Sequence, residues 1–136
     1  MNIVLDSSVI AKWFLDEDNK QEALKFRNLH KEETLTIVAP TLIILELSNI
    51  FVTRKLNQKD FEGNLDMILN FQINFTDYQF HSLKSTFALS QRFHLSFYDA
   101  TYVALAQQLH CDFITADKKL ADMTKVLKFV KLLSQT

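Results

Sequence analysis

Four acidic residues occupy positions where a carboxylate is either aimed at a crevice or costly to place: Asp6, Glu46, Asp99 and Asp117. Asp6 directly follows the apolar run Ile3-Val4-Leu5, and Asp117 comes just after Phe113-Ile114-Thr115. Both runs read as short buried strands, so both carboxylates belong at strand ends. Glu46 shares a helix face with Ile43, Leu47 and Ile50, and Asp99 shares one with Val103 and Ala106. An unpaired charge on a core-facing stripe costs several kcal/mol or becomes protonated, so each needs a cation, a donor network or an opening to a cleft. Taken singly, these acids have ordinary explanations: a helix cap, an arm of a buried ion pair, a first-turn carboxylate, a turn residue. Clustered, they would raise one another's pKa and oppose folding unless a hard cation neutralised them. An all-oxygen donor set suits Mg²⁺ or Mn²⁺.

Other chemistries are poorly provided for. The lone Cys111 excludes an internal disulfide and a cysteine-rich zinc cluster, and reads as a small buried thiol. One glycine, Gly63, is too few for a phosphate-cradling loop or a nucleophile elbow. The histidines, His30, His81, His94 and His110, show no pair at zinc-helix spacing and read as surface or packing residues. A formal net charge of −1 argues against a protein coated in positive potential, so any nucleic acid must meet local basic patches.

The elements that must position the acids follow from periodicity. Asn2 to Leu5 reads as a strand, and Asp6-Ser7-Ser8 offers capping oxygens to a helix through Val9, Ile10, Trp13 and Phe14. Ala23, Leu24, Phe26 and Leu29 mark one face of a second helix, and Thr36 to Ala39 a second strand. Pro40 and Thr41 mark the entry to a helix over Leu42 to Val52, with threonine as its cap. Asn57 caps a helix with Phe61, Leu65, Ile68 and Leu69 on one side, weakened by Gly63 within it. Gln72 to Phe75 reads as a strand, and Thr76 or Asp77 as the start of a helix carrying Phe80, Leu83, Phe87 and Leu89. Ser96 opens a helix reaching Leu109, which delivers the strand Asp112 to Thr115. A short helix over Lys118 to Met123 and a strand over Val126 to Val130 close the chain.

Short strands alternating with longer helices imply a three-layer α/β/α fold with a short, mainly parallel sheet. At 136 residues, 48% of them apolar, one domain over 1–136 is expected. No apolar run is long enough to span a membrane and no signal-peptide pattern opens the chain, so a cytoplasmic location is expected. In such a sheet, ligands bind beyond the carboxyl ends of the strands. Adjacent placement of the first and fourth strands would bring Asp6 and Asp117 together.

These residues resemble the PIN domain, specifically the VapC-like toxins of prokaryotic toxin–antitoxin pairs, over nearly the whole chain. The resemblance rests on Ile3-Val4-Leu5-Asp6-Ser7-Ser8-Val9 running into Ala11-Lys12-Trp13-Phe14, and on Glu46 in the helix after Ala39-Pro40. It rests equally on Ser96-Phe97-Tyr98-Asp99-Ala100 and on Ile114-Thr115-Ala116-Asp117-Lys118-Lys119-Leu120. It implies that Asp6, Glu46, Asp99 and Asp117 are the metal-binding and catalytic acids, with Ser8 and Thr115 as supporting hydroxyls. It further implies a metal-dependent ribonuclease, using Mg²⁺ or Mn²⁺, that forms a homodimer and is held inactive by a cognate antitoxin. The glycine usual between the late helix and the following strand is replaced near His110-Cys111-Asp112, which bears on the turn.

Hydrolysis of RNA by metal-activated water needs phosphate-binding cations around the acidic pocket, and Lys12, Arg54, Lys55, Arg92, Lys118 and Lys119 are candidates. Trp13, Phe14 and Phe97 could stack bases, but among twelve phenylalanines a core or interface role is the default. Apolar residues on several helices suggest a partner surface. Two other classes fit less well. A non-catalytic PIN-like module binding RNA or protein would not need all the acids intact. A phospho-receiver or haloacid-dehalogenase-like phosphotransferase also places acids at strand ends, but the latter wants a second aspartate where this chain has Ser8.

Overall fold

The computed structural model describes residues 1–136. Its strands are β1 (Asn2–Leu5), β2 (Thr36–Pro40), β3 (Asn74–Thr76), β4 (Asp112–Thr115) and β5 (Val130–Leu132). Its helices are α1 (Ser7–Ile10), α2 (Lys20–Lys31), α3 (Leu42–Thr53), α4 (Gln58–Asn70), α5 (Ser82–Phe93), α6 (Phe97–Leu109) and α7 (Lys118–Met123). All neighbouring strands pair in parallel, in the order β3-β2-β1-β4-β5. From β1 the chain steps outward to β2 and β3, then returns across the sheet to β4 and β5. Right-handed crossovers therefore put α1 to α4 on one face and α5 to α7 on the other. The reversal between β1 and β4 is a topological switch point, where an open sheet leaves a crevice at its carboxyl end.

Part of the phenylalanine content goes into the packing of the core. On the α1–α4 face, Phe71 meets Trp13 edge-on at 5.3 Å, Trp13 adjoins Phe14, and Phe14 packs at 5.9 Å on Phe51, which meets Phe61. Trp13 and Phe14 are thus packing residues, as their default role anticipated. On the opposite face the fully buried Tyr102 of α6 stacks on Phe113 of β4, with ring centroids 5.6 Å apart. The Cys111 thiol is half-buried, and burial pushes its pKa up.

The helix caps expected at Asn57 and Ser96 form: their side chains accept from the backbone N–H groups of Asp60 and Asp99 at 2.8 and 3.0 Å. The glycine-free turn after α6 is made by His110 itself, in the left-handed region at φ 52°. Several local expectations are corrected. The first helix is a single turn, α1, tightening into a 3₁₀ turn over Ala11–Trp13 whose indole N–H donates to Ala23 O at 2.9 Å. Pro40 ends β2 rather than opening α3, and Thr41 makes no side-chain cap. The backbone N–H of Thr41 instead donates to Thr76 O at 3.0 Å, so β2 and β3 continue pairing up to Thr76. That pairing also keeps Thr76 and Asp77 out of helix. α5 starts only at Ser82 and buries Thr86, Leu89 and Phe93, leaving Phe80 and Phe87 exposed. In α4, Ile68 is buried but Leu69 faces out. The last strand begins at Val130, because residues 124–129 turn so that Phe129 O can accept from Phe113 N–H at 2.8 Å.

Candidate metal centre

Asp6 is the most deeply set of the acids. β1 and β4 pair with Leu5 opposite Ile114, so the Asp6 N–H donates to Ile114 O at 3.0 Å and its carboxylate lands beside Thr115. One carboxylate oxygen accepts from Thr115 Oγ1 at 2.7 Å, and the other from Ser7 Oγ at 3.3 Å. Asp6 sits at the cap position of α1, but its side chain makes no cap hydrogen bond and turns to these hydroxyls instead. Burial raises its pKa, and the hydroxyls of Thr115, Ser8 and Ser7 pull it partly back. Ser8 also fastens α1 to the loop after β4, because its Oγ accepts from Ala116 N–H at 3.1 Å. Thr115 Oγ1 likewise accepts from Asp117 N–H at 3.0 Å. Both hydroxyls expected to support the site therefore contact its frame.

Glu46 projects from α3, on the face whose Ile43 and Leu47 are buried. Tyr102 Oη donates to Glu46 Oε1 at 2.5 Å, joining α3 to α6 over the top of the sheet. The Glu46 carboxyl is raised above its ordinary value, first by burial and then by the charges of Asp6 and Asp99. Asp99 lies in the first turn of α6, above the buried Val103 and Ala106. Burial, Asp6 and Asp117 raise it, in that order. Three acids from three separate elements thus feel one another's charge.

Asp117 stands differently. It is exposed, and its Oδ1 accepts from Leu120 N–H at 3.2 Å as the cap of α7. Its charge reaches Asp99, so it flanks the cluster rather than closing it. As the side chains stand, no three acid, histidine or cysteine groups surround one point as a finished cage. The donor set nevertheless suits a hard cation. The oxygens of Asp6 accept one hydrogen bond each and keep lone pairs free. Mg²⁺ commonly retains several waters and takes only one or two carboxylates.

Two tyrosines at the site escaped the sequence reading. Tyr102 was signalled by its hydroxyl in a helix face otherwise all core, since a buried tyrosine O–H needs a partner. Tyr78, on the loop after β3, is half-exposed. Burial raises its pKa first, Thr101 partly offsets this through a hydrogen bond, and Glu46 and Tyr98 raise it further. Among the proposed basic residues, Lys12 is half-buried and Arg54 pairs with Glu17, whereas Arg92 lies over the Phe93 ring at 4.7 Å. Lys55, Lys118 and Lys119 are exposed.

A family model described as PIN domain matches residues 3–126. Ribonuclease VapC3 of Pyrobaculum aerophilum is 30% identical over 131 residues, covering 90% of this chain and 94% of that protein. VapC20 of Mycobacterium tuberculosis, a toxin that cleaves the sarcin-ricin loop, superposes with a TM-score of 0.69 at 13% identity, over 90% of this chain and 95% of that one. VapBC2 of Rickettsia felis, bound to a DNA fragment from its promoter, gives 0.70 at 14% identity over 97% and 98%. At such low identity these two structures speak for the fold alone.

Proposed function

The chain belongs to the PIN domain family, and on that premise we propose that it is a divalent-metal-dependent endoribonuclease acting as the toxin of a toxin–antitoxin pair. The observation behind this reading is the mutual crowding of Asp6, Glu46 and Asp99 at the switch point between β1 and β4. Mg²⁺ or Mn²⁺, held by Asp6, Glu46 and Asp99 with Asp117 at the margin, would activate water and offset charge on the phosphoryl and leaving oxygens of RNA. The chain's own groups do the positioning. Thr115 and Ser7 fix the Asp6 carboxylate, Tyr102 fixes that of Glu46, and Ser8 holds α1 against the loop that carries Asp117. None of these acids needs to be a nucleophile.

A cognate antitoxin is the partner this reading implies, by analogy with the VapBC pairing, together with a homodimer in the cytoplasm. No helix is long and apolar enough to cross a membrane. Exposed Leu45 and Val52 on α3, with Phe80 just before α5 and Phe87 on it, supply apolar surface for such contacts. The deciding experiment incubates purified protein with total RNA, with Mg²⁺ or with EDTA, beside an Asp6→Asn variant. Cleavage that needs both the metal and Asp6 is the expected result. Equal cleavage by the variant would place the active site elsewhere.

A further inference from the structure

We propose that a polar hollow next to the acids, with Lys12 and Arg54 on its wall, is the subsite that receives an RNA phosphate flanking the scissile one, and that Glu17 occupies the phosphate's place until RNA arrives. This rests on the ribonuclease reading above and specifies how that same site holds its substrate. The hollow encloses about 360 Å³ between α1, α3 and the loop after β4. It touches the acidic site through Ser8 and Asp117, and leads away from it past Asn49, Thr53, Lys12 and Arg54.

Its geometry follows the helices. Glu46, Asn49 and Thr53 recur at helical spacing on α3, so a rise of about 1.5 Å per residue sets Asn49 about 4.5 Å and Thr53 about 10 Å along the axis from the acid. A strand of RNA with one phosphate at Glu46 would lay a neighbouring phosphate along this face. The wall there is cationic, although the acids beside it are not. Lys12 and Arg54 come from different elements yet converge on the two carboxylate oxygens of one residue: Lys12 Nζ is 3.8 Å from Glu17 Oε1, and Arg54 Nη2 bonds Glu17 Oε2.

That arrangement is an anion site with an internal anion in it. A lysine and an arginine set around a carboxylate present the donors that a phosphate's oxygens would take. The Lys12 side chain is only 12% exposed, so it is committed to this hollow and not free in solvent. Glu17 lies in the short connection between the 3₁₀ turn and α2, outside any regular element, so no helix or strand pairing would have to break for its side chain to give way. The other basic candidates lack such convergence.

The test uses the Asp6→Asn protein, chosen to slow cleavage during binding, and a fluorescently labelled oligouridylate, with binding followed by anisotropy over a series of salt concentrations. Backbone phosphate contacts are independent of base sequence, so this probe reports them directly. Lys12→Gln and Arg54→Gln are each expected to weaken binding and to lower the salt slope by about 1. Lys12→Arg should restore the slope, and Glu17→Gln should tighten binding. Arg54 is half-exposed, so its variant tests the subsite even if Lys12→Gln folds poorly. Unchanged affinity and slope in Arg54→Gln, with Glu17→Gln binding no more tightly, would overturn the subsite while leaving the ribonuclease reading intact. If wild-type protein neither binds nor cuts RNA, the ribonuclease reading itself fails.

Discussion

At the amino end of the sheet His30 joins two backbone groups: its Nδ1 accepts from Ile37 N–H at 3.0 Å, and its Nε2 lies 2.7 Å from Phe71 O. At the carboxyl end Asp6 also has partners for both oxygens, yet it shares its surroundings with Glu46 and Asp99, and the pKa of all three is raised. Because Nδ1 accepts, Nε2 is the nitrogen that donates to Phe71 O, and both backbone groups are satisfied. Hydroxyls reach both oxygens of Asp6 and one of Glu46, but they bring no opposite charge. A wide hollow of about 690 Å³ opens at the amino end beside His30, away from the acids. On the proposed reading, the contrast separates polarity that holds the fold from polarity set for a cation.

The sharpest way to break this contrast is to substitute both ends. Asp6→Asn should lower RNA cleavage about 100-fold or more, because it removes a carboxylate from the proposed metal set. His30→Ala should do the reverse, leaving the rate per folded molecule unchanged while stranding Ile37 N–H and Phe71 O. Its cost is about 2–4 kcal/mol, read as a lower midpoint in urea denaturation. A His30 variant that folds normally but cannot cut RNA would erase the distinction.

Tyr102→Phe comes next in size. The stack on Phe113 survives, while Glu46 loses its hydroxyl donor. Loss of a partner that orients a ligating carboxylate typically costs about 10–100-fold in activity or metal affinity. Single-turnover cleavage together with the denaturation midpoint separates this from a packing defect, since the midpoint should move little.

Acid stability tests the same asymmetry. The folded-state pKa values of Asp6, Glu46 and Asp99 are raised, so the native metal-free protein holds these protons more tightly than the unfolded chain does. Above the unfolded carboxyl values of about 4, the three groups oppose folding, and this opposition fades as pH falls through their raised native values. In EDTA, Asp6→Asn should therefore be more stable than wild type at pH 7, with the difference shrinking on acidification. Saturating Mg²⁺ should stabilise wild type and reverse the order at neutral pH. A variant less stable than wild type in EDTA at pH 7 would contradict this.

The smallest effect lies in the turn between α6 and β4, which contributes no side chain to either polar centre. His110 ends α6 in the left-handed region, where glycine carries no Cβ penalty. His110→Gly should stabilise the protein by about 1 kcal/mol without altering cleavage. Thermal melting and the RNA assay together check it.

Much of this was legible from short-range pattern. β1 and β4 are brief apolar runs, Ser96 and Asn57 cap as their chemistry suggests, and Glu46 and Asp99 stand out on apolar faces. What stayed hidden depends on contacts far apart in sequence. The Tyr102–Glu46 bond spans 56 residues, and the Arg54–Glu17 pair 37. Phe80 fits a helical period, but pairing of β3 up to Thr76 delays α5 and leaves Phe80 91% exposed. The motif around Asp117 gives its position and not its burial; its role as cap of α7 emerges only from the fold.

The central claim, that the crowded acids form a cation site, is tested most directly by titrating metal-free protein with Mn²⁺ in a calorimeter, using two buffers of different ionisation enthalpy. Saturable binding with release of protons is expected, because the raised carboxyls must give up any proton they hold, and both signals should be lost or greatly weakened in Asp6→Asn and Glu46→Gln. Mn²⁺ binding of the same strength in wild type and both variants, or none in wild type, would contradict it.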